Sequence, residues 1–274
     1  MAENVRRFEL LFDSIKGRSS KWRALVAEKR KRVRAKLIEA GCAEIPRDLH
    51  KLAGALGVGD VREVPLALRG RLVRESGGFA IEINSDLEGF QKRHVFAHEL
   101  AHILVEDDNF ELSQRERTAR ARGSSYHVVE KLCDECAAEM LLPLLWLRER
   151  LRRARPSLEA LEQLAKNAQC SLEYAAERVR AEAIWQCTFL TCKVNDRGAW
   201  IVRSSPPGAA DSLLLEIPKN KESSPIIRCH AERRRRIGRE SLRFGDEVIF
   251  EQVECLPLEE NTVFVMLNRE TTEM

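Results

Sequence analysis

The sequence predicts an α+β protein in which helices and strands are segregated along the chain. Three observations carry this. Apolar residues recur at helical spacing in the N-terminal and middle regions, short period-two segments lie between residues 61 and 84, and the texture is strand-like from residue 184 onward.

In chain order, Val5, Phe8, Phe12 and Ile15 suit one helix, and Trp22, Val26, Val33 and Leu37 a second. Residues 1–40 carry twelve Lys/Arg against five acids, which reads as helices with a solvated basic face. Residues 46–56 form a short helix, with Pro46 in its first turn and Gly57 ending it. Segments 61–65, 69–74 and 79–84, separated by Gly70 and the Gly77–Gly78 pair, make a small sheet of meander type. Residues 91–105 are a helix, 106–125 a polar mobile connection, and 127–142 the next helix, stopped by Pro143. Residues 156–180 read as helix–turn–helix, with Ser157 and Ser171 at the N-cap positions. Further on, 185–194 and 199–203 form a hairpin, and 247–254 and 262–268 are strands.

Composition narrows the function classes. The 274 residues hold 46 Lys/Arg and 43 Asp/Glu, a formal charge of +3, with 44% apolar residues, enough for a core. No apolar run has the roughly 18–20 residues of a membrane span, and the N-terminus lacks the order of a secretory signal. Eight cysteines without a framework spacing then favour reduced thiols and a cytoplasmic location.

The chemistry concentrates in His98-Glu99-Leu100-Ala101-His102, an H-E-x-x-H. Four residues apart on a helix, the two imidazoles share a face and can reach one metal, with Glu99 beside it. Glu130 opens the next helix 28 residues after His102, and its carboxylate can complete a His₂Glu set that leaves a fourth zinc position to water. Asp134, one turn on, can hydrogen-bond a ligand histidine and fix its tautomer. The arrangement is similar to the gluzincin metallopeptidases.

Four segments resemble the ImmA/IrrE family in order: I-P-R-D-L-H-K-L-A-G-A-L-G at 45–57, G-F-A-I-E-I-N-S at 78–85, R-H-V-F-A-H-E-L-A-H at 93–102 and E-K-L-C-D-E-C-A-A-E-M-L-L-P at 130–143. The resemblance covers residues 22–182. It implies a minimal zincin-like core with a helical extension, and a zinc (Zn2+) endopeptidase that cleaves a helix-turn-helix repressor and so derepresses genes. It implies His98, His102 and Glu130 as metal ligands and Glu99 as the catalytic glutamate. Ala101 stands where glycine is usual, and Asp134 where asparagine is usual. The division expected is a peptidase domain over 1–182 and a β-rich, regulatory C-terminal module over 183–274.

Other features are weighed beside this. Tyr126 and His127, preceding Glu130, are candidates for stabilising an oxyanion. Cys133 and Cys136 form a C-x-x-C that reads as two buried core thiols, and His94 reads as a packing or surface residue. The run Arg233–Arg236 reads as solvated charge rather than a phosphate site. The 156–180 helices show few side chains suited to base edges, so packing on the peptidase core is favoured over direct nucleic-acid binding. A peptide substrate is expected to lie extended near a sheet edge at 81–84. Two alternatives stay open: a DNA-binding regulator with a structural zinc, and a non-cleaving sensor built on a peptidase fold.

Overall fold

A computed structural model describes residues 20–105, 124–195, 198–205, 217–218, 224–244, 247–258 and 261–268. The helix expected at residues 5–15 and most of the connection at 106–125 lie outside the described residues. The fold is α+β, with two sheets and eight helices among the described residues. No described helix is long and apolar enough to cross a membrane. Among the described residues, the chain divides into two compact units, one spanning residues up to 146 with 165–171 and the other 147–164 with those from 172 onward.

In the first unit, α1 (Ser20–Glu39) and α2 (Leu49–Ala55) precede β1 (Val58–Val64), β2 (Gly70–Glu75) and β3 (Gly78–Asn84), and α3 (Gly89–Val105) and α4 (Ser124–Leu141) follow. Asp48 rather than Pro46 starts α2, its side chain accepting the Lys51 N–H at 3.0 Å. The sheet is not a meander. Its order is β1-β3-β2, with β1 parallel and β2 antiparallel to β3. The tight β2–β3 hairpin puts β3 in the middle because its residues 80–83 are all buried, a run suited to a strand flanked on both sides. Residues 81–84 therefore offer no free edge, which corrects the expectation of a sheet edge there.

Helix α3 buries Val95, Phe96, Leu100, Leu104 and Val105, and packs on α4, β2 and β3. Ala97 and Ala101 are fully buried with Ala137 of α4, so small residues let the helices approach closely and the Ala101 methyl is accommodated. Gly70 serves the same end on the sheet side. A Cβ there would collide with Val95 Cγ1 and stand 3.1 Å from the Glu82 carbonyl oxygen.

Part of the basic face of α1 is engaged inside the unit. Arg30 Nη2 meets Glu135 Oε2 at 2.5 Å, and Arg34 Nη1 donates to Glu139 Oε1 at 2.8 Å. Glu139 is fully buried, and its carboxylate also accepts the Leu144 N–H at 3.3 Å. Arg47 Nη1 donates to the Glu139 carbonyl at 2.8 Å, tying the segment before α2 to α4. A buried carboxylate is tolerated because it is paired and hydrogen-bonded.

The second unit is built on a six-stranded antiparallel sheet ordered β6-β5-β4-β9-β8-β7. Its strands are β4 (Cys187–Asn195), β5 (Gly198–Ser205), β6 (Ile217–Pro218), β7 (Arg236–Phe244), β8 (Glu247–Pro257) and β9 (Thr262–Asn268). On one face α8 (Pro225–Glu232) covers Leu190, Cys192, Val253, Cys255, Val263 and Val265. The opposite face carries Phe189 stacked on Phe264 at 5.9 Å and the buried Glu254. Glu254 Oε2 accepts the Leu158 N–H at 2.8 Å, capping the start of α6 (Leu158–Ala168) together with Ser157, which accepts from Ala160 N at 3.2 Å. Helix α7 (Leu172–Ala181) lies against β4 and β5. The short α5 (Leu144–Leu151) precedes these two helices. The arginine run is not simply solvated. Arg235 pairs with Glu162, Arg234 and Arg236 with Glu232, and Arg233 Nη1 donates to the Leu258 carbonyl at 2.8 Å.

Candidate metal centre

Helix α3 places His98 and His102 one turn apart, and α4, packed alongside, brings Glu130 to the same point. The ligand atoms of the three all lie within 4.8 Å of one another. His98 Nε2 is 3.1 Å from His102 Nε2 and 3.2 Å from Glu130 Oε2, and His102 Nε2 is 3.5 Å from Glu130 Oε1. A tetrahedral zinc with bonds of about 2.0–2.1 Å sets its ligands roughly 3.3–3.4 Å apart. The three separations straddle that value, and two imidazoles and one carboxylate are a donor set suited to zinc. Among the described residues no other trio of His, Cys, Asp or Glu comes together this way.

Asp134 Oδ1 lies 2.9 Å from His98 Nδ1, the ring nitrogen facing away from the cluster. Burial works against a charged His98, yet the hydrogen bonds to Asp134 and Glu130 outweigh it and push the imidazole up to about 9 in the metal-free chain. His102 is wholly buried, and its Nδ1 is 3.3 Å from Cys133 Sγ. Glu99 is 4% exposed and lies on the β2 side of α3, where a methyl on Gly70 would stand 3.6 Å from its Cγ.

The remaining candidates separate. His94, one turn before His98, is not in the donor cluster; burial lowers its pKa, with Asp134 opposing. The side chains of Tyr126 and His127 lie outside the described residues. Cys136 is a buried thiol pushed up to about 12 by burial, beside charged groups of α1 and α4. Cys133 is buried, as expected of a core thiol, and its sulfur also faces a histidine of the cluster. Its position three residues after Glu130 and next to Asp134 was the available signal, because residues i, i+3 and i+4 of a helix share a face. Gly70 carried no signal beyond separating two strands.

Comparison with known proteins agrees with this geometry. Residues 68–180 match the IrrE N-terminal-like domain family. The radiation response metalloprotease IrrE of Deinococcus radiodurans is 35% identical over 146 residues, which span 51% of this chain and 42% of that protein, so less than half of the relative is matched. A solved Mycobacterium tuberculosis transcriptional regulator gives a TM-score of 0.49 at 12% identity, covering 88% of this chain and 76% of that one. His98, Glu99, His102 and Glu130 thus all lie within the residues, 68–180, that match the IrrE N-terminal-like domain family.

Proposed function

We propose that the protein is a zinc-dependent endopeptidase whose substrate is a helix-turn-helix transcriptional repressor, and that cutting it derepresses genes. The observation that carries the hydrolytic part is the triangle of donors at 3.1, 3.2 and 3.5 Å with Glu99 on the same helix. His98, His102 and Glu130 would hold zinc, which when bound would supply Lewis acidity toward the scissile carbonyl and acidify the attacking water. Glu99 takes the proton as the water oxygen bonds to the carbonyl carbon. It then delivers that proton to the amine nitrogen as the C–N bond breaks. Asp134 holds the His98 ring through Nδ1. The peptide lies along β2, the outer strand beside α3, where backbone groups not used by β3 remain for an added strand. A buried carboxylate on the same helix that is not one of the three clustered donors favours this reading over a purely structural zinc.

The repressor as substrate follows from the family resemblance. A cytoplasmic location is supported by eight cysteines that are all unbridged. The described residues of 183–274 contribute no donor to the centre, and the proposal gives this part of the chain regulation through a partner or a signal. The test is incubation of the zinc-loaded chain with the helix-turn-helix repressors of the same organism. The expected result is one discrete cleavage, lost on chelation and restored by zinc. Repressors that all stay intact under those conditions contradict the substrate assignment.

A further inference from the structure

We propose that Cys133 is a positioning residue of the metal centre, holding the His102 ring by accepting its Nδ1–H at the thiol sulfur. The inference rests on the reading of His98, His102 and Glu130 as zinc ligands and adds to it a residue that reading does not use. Cys133 Sγ is 3.3 Å from His102 Nδ1, while the opposite nitrogen of the same ring, Nε2, faces His98 Nε2 and Glu130 Oε1. Both side chains are fully buried. An imidazole that binds a metal through Nε2 carries its proton on Nδ1, and a buried N–H requires an acceptor.

The geometry gives each ligand histidine its own support from one helix. Residues 130, 133 and 134 of α4 share a face turned toward residues 98 and 102 of α3, with Glu130 in the donor cluster, Asp134 on His98 and Cys133 on His102. The two supports match their surroundings. Asp134 is largely exposed, with 59% of its side chain accessible, so its charge is solvated. At the buried His102 a second carboxylate would add a charge removed from water, whereas a neutral thiol orients the ring without that cost. Cys136 supplies an internal comparison, since it is equally buried on α4 but has Lys29, Arg30, Glu135 and Glu139 as its charged neighbours.

The experiment compares the full chain with its Cys133→Ala, Cys133→Ser and Cys136→Ala variants. Zinc affinity is read by chelator competition, and ligand geometry by the visible absorption of the cobalt(II)-loaded protein. Cys133→Ala should weaken zinc by roughly tenfold and alter the cobalt bands, as losses behind a ligand histidine do. Cys133→Ser, whose hydroxyl can accept the same N–H, should recover most of the affinity. Cys136→Ala, with the same loss of volume, should leave both readouts at the parent values. The inference is overturned if Cys133→Ala matches the parent, or if Cys136→Ala weakens zinc equally, which would mark a packing effect. A parent chain that binds no zinc overturns the reading of the centre itself, and this inference with it.

Discussion

At the scale of single residues, the account depends on Glu99 being a proton carrier and not a ligand. Glu99→Gln keeps the shape but cannot accept a proton, so zinc content should stay at the parent level while cleavage falls by about 10²–10⁴. Metal analysis beside a cleavage assay decides it, and undiminished turnover contradicts the mechanism. Asp134→Ala removes the acceptor 2.9 Å from His98 Nδ1 and should weaken zinc roughly ten- to a hundredfold. The same carboxylates set a pH dependence. His98 is raised from 6.5 to about 9 without metal, so zinc must displace a proton throughout the range below that value. Affinity should therefore climb about tenfold per pH unit and level off above about 9, as chelator competition across that range will read. The sign for the metal-free fold is opposite. Stabilisation from the raised His98 is fully present below about 6.5 and is lost as pH rises through about 9. The pairing of His98 with His102 was legible in the sequence because spacing on a helix fixes which side chains share a face, whereas Glu130, on another helix, rested on the family resemblance. The thiol on His102 was not, because a cysteine on an apolar helix face reads as core until its neighbour across the interface is known.

At the scale of elements, the strands were legible near 61–65, 69–74 and 79–84, but their order was not. Alternation marks a strand, whereas its place in a sheet depends on pairing with segments elsewhere, and β3 proved to be the central strand with β1 parallel to it. Strand β7 and helix α8 also escaped, since arginine-rich residues 233–236 mask the start of β7 as a loop. The contact between β2 and α3 is the element-level feature most open to test. Gly70→Ala places a methyl against the stiff Val95 side chain and the Glu82 carbonyl. Overpacking of this kind costs about 1–3 kcal/mol. A lowered melting temperature is expected, along with weaker zinc retention as α3 is displaced. An unchanged melt and zinc affinity would show that β2 does not fix the helix.

For the whole molecule, the helical extension changes what truncation should do. Leu158, Leu161, Ala175 and Val179 are buried, and α6 and α7 take a cap and contacts from the C-terminal sheet. A chain ending at Ala183 leaves those residues without their sheet. It should bind an apolar dye and aggregate, while the centre on α3 and α4 keeps its donor set; solubility and zinc content of residues 1–183 check this, and a well-behaved, dye-free fragment contradicts it. The central claim is an open hydrolytic centre and not a closed structural one, and X-ray absorption at the zinc edge tests it most directly. The account predicts one zinc per chain with nitrogen and oxygen neighbours at about 2.0–2.1 Å and no sulfur shell. A sulfur shell at about 2.3 Å would contradict it, because Cys133 would then be a ligand and the position left for water would be filled.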